Sequence, residues 1–376
     1  MTSNKPVYLD HAASSPLRPE ALAAMLPFFG ERFGNPSGSH ALARAARVAI
    51  EDARDAMADA LGCAPGEVVF TSGGTEADNL AITGTAAGRR VCSAVEHHAV
   101  LRPVEAAGGL LVPVDSDGVV ALDALQAALG DDTAVVSVML ANNETGVVQQ
   151  LEPIAEAVRA LAPRAVLHTD AVAAFCWRDV ARDAALADLV SVSAHKFGGP
   201  MGVGALVVRE GVAVAPILRG GGQERERRSG THNVAGVVGM AAAAQATVRA
   251  RSEELRRIGA LRDRLVAGLA GVVDGVAFTA PGATHTAGTL HVRVAGVESE
   301  ALVFALDQLD VCASAGSACA SGALEPNHVL AAMGADNAGS GAALRLSFGW
   351  SSTDADVDAA LAALPKAIEN LRAGSS

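Results

Sequence analysis

The chain has 376 residues, half of them apolar, and its 41 Asp and Glu outnumber its 29 Lys and Arg to leave a formal net charge of -12. That length can bury one large core or two ordinary ones, and the acidic balance argues against a broad cationic face for nucleic acid. The cysteine count is odd, with Cys63, Cys92, Cys176, Cys312 and Cys319 forming no CxxC pair, which argues against a disulfide framework and against a zinc site.

The start, "MTSNKPVYLD", has no basic segment followed by an apolar run. No window approaches the roughly 18 unbroken apolar residues of a membrane span, so a cytoplasmic protein is expected. Short runs rich in Val and Leu then recur as "EVVF", "RVCSAV", "LLVPV", "TAVVSVML", "RAVLHTD", "DLVSVSA" and "GALVV", and each reads as a strand. Between most of them lie Ala-rich segments of helical spacing, such as "SHALARAARVAIEDARDAMADALG", "LDALQAALG" and "LEPIAEAVRALAP". The alternation, from about residue 65 to 210, predicts a mostly parallel sheet covered by helices on both faces. A Gly-rich loop and a long helical stretch, "AGVVGMAAAAQATVRARSEELRRIGALRDRLVAGLA", follow. Strand-like "GTLHVRVAG" and helix-like "SEALVFALDQL" then point to a smaller α+β domain.

Ligands of open α/β sheets bind beyond the C-terminal ends of the strands, so polar residues there carry the most information. "VFTSGGTEADN" passes from a strand through Gly73, Gly74 and Thr75 into a helix, where free N–H groups can meet an anion; it is neither a Walker loop nor GxGxxG. Other strand ends carry His97, Asn143, Asp170, and His195 with Lys196. One such residue alone reads as a helix cap or a solvated end. Together they offer an anion cup, a carboxylate, an imidazole and a lysine, a set that suits pyridoxal phosphate: Lys for its Schiff base, Asp for its ring nitrogen, the cup for its phosphate.

In order and spacing, "YLDHAASSP", "FGNPSGSH", "VVFTSGGTEADNLAI", "VEHHAVL", "NNETGVVQ", "HTDAV", "SAHKFGGPMGVGAL", "GGGQERERRSGT", "AGSACASGALEP" and "LRLSFG" resemble the cysteine desulfurases of the NifS and IscS group, nearly end to end. These are fold type I pyridoxal-phosphate enzymes of the class V aminotransferase family. The resemblance implies a large cofactor-binding domain over 15–250, and a small domain of 1–14 with 251–376 that carries a catalytic cysteine loop.

It makes Lys196 the Schiff-base lysine, with Ser193 and His195 on the phosphate side. Gly74 and Thr75 would bind the phosphate, and Thr231 would reach it from the other subunit of a homodimer. Asp170 would pair with the ring nitrogen, and His97 would stack on the ring and move protons. Asn143 would lie near the ring hydroxyl and the substrate, Arg345 would hold the substrate carboxylate, and Cys319 would accept sulfur from L-cysteine, leaving a persulfide and L-alanine. The persulfide would pass to an acceptor protein or biosynthetic enzyme that the residues do not identify.

Where relatives commonly have Gln, the chain has Ala173; Asn143, a water or His168 would have to stand in at the ring hydroxyl. The sequence ends with "IENLRAGSS", without the longer tail that some relatives use to dock an iron–sulfur scaffold, so delivery to that scaffold is not taken as expected. Cys63, Cys92 and Cys176 read as buried structural thiols, Cys312 as a small filler ending a helix or strand, and His40 and His98 as helix-start residues. Arg225 and Arg228 read equally as cross-dimer contacts or a structural ion pair, and His11 as a residue at the pocket entrance. A selenocysteine lyase or another β-eliminating or transaminating enzyme of the same fold is the alternative, and a non-catalytic sulfur carrier a more distant one.

Overall fold

The computed structural model describes residues 6–270, 273–316, 327–335 and 341–374, so Cys319 lies outside the described residues. The chain opens with a short strand β1 (Val7–Tyr8), helix α1 (Pro19–Met25) and helix α2 (Ala41–Leu61). On α2 the buried side chains Ala43, Ala46, Ile50, Ala53 and Met57 recur at spacings of three and four, one stripe along the helix, and Gly62 at φ 63 ends it in the left-handed conformation that glycine adopts freely.

The main sheet follows: β2 (Val68–Thr71), α3 (Gly74–Thr83), β3 (Arg89–Ser93), α4 (His98–Ala106), β4 (Leu110–Val112), α5 (Leu122–Ala128), β5 (Thr133–Ser137), α6 (Leu151–Leu161), β6 (Val166–Asp170), α7 (Val180–Asp183), β7 (Leu189–Ser193) and β8 (Gly204–Val208). Its order is β2-β8-β7-β6-β5-β3-β4. The pairs from β7 through to β4 are parallel, whereas β8 runs antiparallel to both β7 and β2. Because β2 therefore runs in the same sense as β7, the strands β2, β3, β5, β6 and β7 all end on one edge of the sheet. Each of the seven runs read from the sequence is one of these strands. β2, β5, β7 and β8 are buried throughout, as continuous Val and Leu runs require when helices cover both faces.

The 37-residue helix α8 (Val234–Ala270) leaves this core and enters another. Its Val237, Met240, Ala241, Ala243 and Ala244 pack with the main sheet, while Ile258, Leu261, Leu265 and Leu269 pack with Leu9, Leu344, Phe348 and Leu364. The second core is built on β9 (Val276–Phe278), β10 (Thr289–Val294), α9 (Ser299–Asp307), β11 (Val311–Cys312), α10 (His328–Ala332), β12 (Ala342–Ser347) and α11 (Asp354–Gly374). Strands β12, β10 and β9 form an antiparallel sheet, and β1 pairs in parallel with β11, Val7 opposite Val311. The N-terminal strand is thus fastened to the C-terminal part of the chain. No helix among the described residues is long and apolar enough to cross a membrane.

Candidate active site

At the end of β2 the backbone turns through Gly73 at φ 155 into the N-terminus of α3. A Cβ on Gly74 would lie 2.9 Å from Val172 Cγ2, and one on Gly204 would lie 2.6 Å from the Gly73 carbonyl carbon, so the turn is pressed against β8 and the β6 loop with no room for side chains. The free N–H groups at the start of α3, with exposed Thr75, leave an anion cradle beside Ser193, whose Oγ would be 3.8 Å from a Gly73 Cβ.

Lys196 follows the end of β7, and its Nζ donates to the carbonyls of Ala12, at 2.6 Å, and Ala13, at 3.1 Å. Burial first, then the Arg345 guanidinium, lowers its ammonium to about 8 against the opposing pull of Asp170 and Asp10. A lysine so placed gives up its proton more readily than a solvated one. His195, beside it, has its Nδ1 3.4 Å from Ser14 Oγ, so its ring meets the N-terminal turn.

Asp170 ends β6, its Oδ1 accepting from the Val172 N–H at 2.8 Å. Burial raises its carboxyl to about 6, opposed by that N–H and by Lys196. Two further carboxyls lie close beneath. Asp78 on α3 and Glu96 in the turn before α4 are each fully buried and face Asp170, and burial pushes both well above the usual carboxylate range. Glu96 accepts from the Met139 N–H at 2.6 Å, while Asp78 Oδ1, 3.6 Å from His168 Nε2, and Glu96 Oε2 accept no hydrogen bond. Three buried carboxyls with one nearby cation cannot all ionise, so the negative charge belongs to Asp170, the one nearest Lys196.

His168, two residues before Asp170 on the same face of β6, is completely buried between Ser137 Oγ at 2.8 Å and Ser191 Oγ at 2.9 Å. Both ring nitrogens are occupied below the strand ends, so it does not stand in for the absent side chain at Ala173. Ala173 itself lines the cavity with Asn143, Val172 and Cys176 around Lys196.

Arg345, in β12 and only 4% exposed, donates to Asp10 Oδ1 at 2.7 Å and to the carbonyl of Asn143, a residue that lines this cavity, at 2.9 Å. Its Nε is buried with no partner, a donor left for an anion. His97 is the N-cap of α4, its Nδ1 accepting from the Ala99 N–H at 3.1 Å, which assigns its ring proton to Nε2. His97 as a whole residue is exposed, yet packing around its imidazole pushes it down to about 4, helped by Lys196 and His328.

Thr231 is exposed, on the loop that leads into α8. That loop is pinned by Glu224, which accepts from both terminal nitrogens of Arg54 at 2.8 Å, from the Phe70 N–H at 2.8 Å, and lies 2.7 Å from His232 Nε2. Arg228 forms an ion pair with Glu76 at 2.8 Å, the structural one of its two readings. His40 accepts from the Ala43 N–H as the N-cap of α2, and His98 begins α4. His11 is buried between Ser15 and Ser352 at the cavity wall.

The four described cysteines are free thiols. Cys92 is buried, whereas Cys176 is half-buried, packs against the main core and also lines the cavity, its thiol 3.5 Å from the Lys196 carbonyl. Burial raises that thiol to about 12, which keeps it protonated. Cys312 ends β11, half-exposed. Asp10, Asp78, Glu96 and Glu224 carry the geometry of the site without having stood out as functional residues in the sequence. The one available signal was that each acid sits inside a motif, "YLDHAA", "TEADN", "VEHHAV" or "QERERR".

Residues 7–360 match the family described as aminotransferase class-V. The chain is 45% identical over 384 residues to an IscS-like cysteine desulfurase of Mycobacterium tuberculosis, covering 97% of each, and 41% identical over 382 residues to a cysteine desulfurase IscS of Methanosarcina thermophila, covering 99% of this chain and 94% of that one. Among solved structures it resembles a NifS-like protein with a TM-score of 0.91 at 33% identity, covering 97% of this chain and 100% of the other. It also resembles SspA in complex with cysteine, with a TM-score of 0.78 at 30% identity over 91% and 98% of the two chains.

Proposed function

The chain belongs to the class V aminotransferases and, within them, to the cysteine desulfurases of the NifS and IscS group; from that premise we propose that it moves sulfur from L-cysteine to its own Cys319 with pyridoxal phosphate held by the residues above. The observation that carries this reading is the convergence of Lys196, the Gly74 cradle, Asp170, His97 and Arg345 at one edge of the sheet. Those residues fit the cofactor: a glycine turn at the α3 N-terminus where a Cβ at Gly74 would press on Val172, a lysine lowered to about 8, and a buried carboxylate.

The bound cofactor supplies a carbonyl carbon that captures an amine and a cationic ring that takes up an electron pair. The protein's residues do the rest. Thr75, Ser193 and the α3 N–H groups hold the phosphate, with Thr231 of a second copy completing the cradle. Asp170 stays anionic and keeps the ring nitrogen protonated. Arg345 turns its unpartnered Nε and a terminal N–H toward the substrate carboxylate, while Asp10 and Asn143 fix the guanidinium. Lys196 would take the Cα proton, and His97, with its Nδ1 held by the Ala99 N–H, would carry its ring proton on Nε2. The Cys319 thiolate attacks the substrate sulfur; the new S–S bond forms as the substrate C–S bond breaks, and the balance is thiol plus L-cysteine giving persulfide plus L-alanine.

We assign 15–250 to cofactor binding, and 1–14 with 251–376 to carrying Arg345 and Cys319. The homodimer is supported by a row of exposed apolar side chains, Leu22, Leu26, Phe29 and Phe33, on α1 and just after it, with Phe33 72% exposed. The test is to add pyridoxal phosphate and reduce with borohydride. A visible chromophore, its reduced adduct on Lys196, and alanine release from L-cysteine support the reading; no adduct on Lys196 refutes it.

A further inference from the structure

Residues 294–344 contain no Lys or Arg, although the chain has 29, and this stretch carries Glu298, Glu300, Asp307, Asp310, Glu325 and Asp336. Within it an open groove runs between α9 and β11, with Val303, Phe304, Val311 and Ala313 as its apolar lining and Asp307 and Glu300 at its rim. Phe304 is 67% exposed and Leu309, just past the helix, 39%. An aromatic ring that open on a nine-residue helix costs solvation unless something covers it.

The acids are placed against the interests of the fold. Asp307 is the last residue of α9, where the helix dipole disfavours a negative charge and where no basic residue compensates. Asp310 takes φ 58, a left-handed conformation in which a non-glycine side chain is strained. At its other end the groove is lined by Cys312, Ser314 and Ala315, the strand that leads toward the nucleophile's segment. Ser314 is tied to Arg345 by paired backbone hydrogen bonds of 3.2 and 2.7 Å, so the groove is anchored to the substrate-binding wall.

We propose that this groove is the docking surface for the sulfur-acceptor protein, and that the acceptor brings to it a basic segment with one large apolar side chain beside its accepting thiol. The proposal rests on the desulfurase reading and adds the partner's chemistry. The basic residues meet the Asp307 and Asp310 side, and the apolar residue covers Phe304. The acceptor thiolate attacks the outer sulfur of the persulfide; its new S–S bond forms as the bond to Cys319 breaks, and Cys319 leaves as a thiolate, with no net oxidation. Charge complementarity of this kind acts mainly on encounter rate and falls with salt.

The probes are two synthetic peptides of equal length, each with one Cys and one Leu, flanked by Lys in one and by Glu in the other. With holoenzyme and sulfur-labelled L-cysteine at low salt, the Lys peptide takes up label at about a tenfold lower half-saturating concentration, and the advantage shrinks as NaCl is raised. The variants Asp307→Lys and Phe304→Ser each reduce that advantage several-fold, while alanine release supported by dithiothreitol stays at the wild-type rate. Equal uptake of the two peptides, or an advantage that survives in both variants, overturns the proposal. If the wild type releases no alanine with dithiothreitol, the desulfurase reading has failed instead. The groove is then judged by fluorescence anisotropy with peptides carrying Ser for Cys, where binding of the Lys peptide must still depend on Asp307 and Phe304.

Discussion

Replacing Glu224 by Gln removes the buried charge that, together with the Arg228–Glu76 pair, holds the Thr231 loop to the main core. Burial pushes this carboxyl up, but hydrogen bonds from Arg54 and His232 and from the Phe70 N–H outweigh it and hold it at about 2, against an ordinary value of 4.5. At ~1.4 kcal/mol per tenfold in proton affinity, the folded state's preference for the anion is worth about 3 kcal/mol. In Glu224→Gln the Arg54 guanidinium, 3% exposed, keeps as counter-charge only the solvent-facing Glu51 at 3.3 Å, and losing the buried partner of such a pair costs about 3–5 kcal/mol. The two routes agree. The loop suffers further, because Glu224, Arg225 and Glu226 all have positive φ, from 49 to 65, a conformation kept only while its surroundings enforce it. Urea unfolding at pH 7 therefore shows a loss of about 3 kcal/mol, and limited proteolysis cuts the 220–232 loop of the variant first. The wild-type contribution is full above about pH 4.5 and is lost as pH falls toward about 2, so the difference between the proteins narrows over that window. A variant that unfolds at the wild-type midpoint at pH 7 would refute the reasoning.

Arg345→Lys keeps the charge and loses the fork that Asp10 and Asn143 orient; kcat/KM for L-cysteine should fall about 10²-fold, mostly in KM, and an unchanged KM would remove Arg345 from carboxylate binding. Asp78→Asn tests the carboxyl set beneath Asp170. A raised carboxyl contributes fully below its unfolded value and costs stability as pH rises above it, so the variant should melt with the wild type near pH 4 and above it at pH 8; a wild type more stable at pH 8 would mean Asp78 is ionised. Cys176→Ser should leave persulfide formation intact, because its thiol stays protonated; loss of the persulfide would make Cys176 part of the chemistry.

Much of this molecule is legible along the chain because its chemistry is local. Runs such as "TAVVS" and "LVSVS" are buried on both faces, so their strands stand out as unbroken apolar stretches. Asp170 and Lys196 stand out for the same reason, as the polar residues that interrupt such runs at their C-terminal ends. What is hidden depends on partners distant in sequence. Asp10 meets Arg345 across 335 residues, and Glu224 bonds Arg54 across 170. Each acid sits inside a motif, but nothing local names the distant arginine it bonds. The antiparallel course of β8 between β2 and β7 is equally silent, since a Val-rich run reads the same in both directions. His168 shows why strand position alone misleads: it shares a face with Asp170, yet lies one pleat deeper, between two serine hydroxyls.

The central claim is that one thiol, Cys319, receives the sulfur. The most direct measurement is to add sulfur-labelled L-cysteine to the holoenzyme without an acceptor, trap persulfides by alkylation and map the labelled peptide. The account predicts label on Cys319, alanine in equal amount, and neither in Cys319→Ala. Label on Cys312, or full alanine turnover by Cys319→Ala, would contradict it.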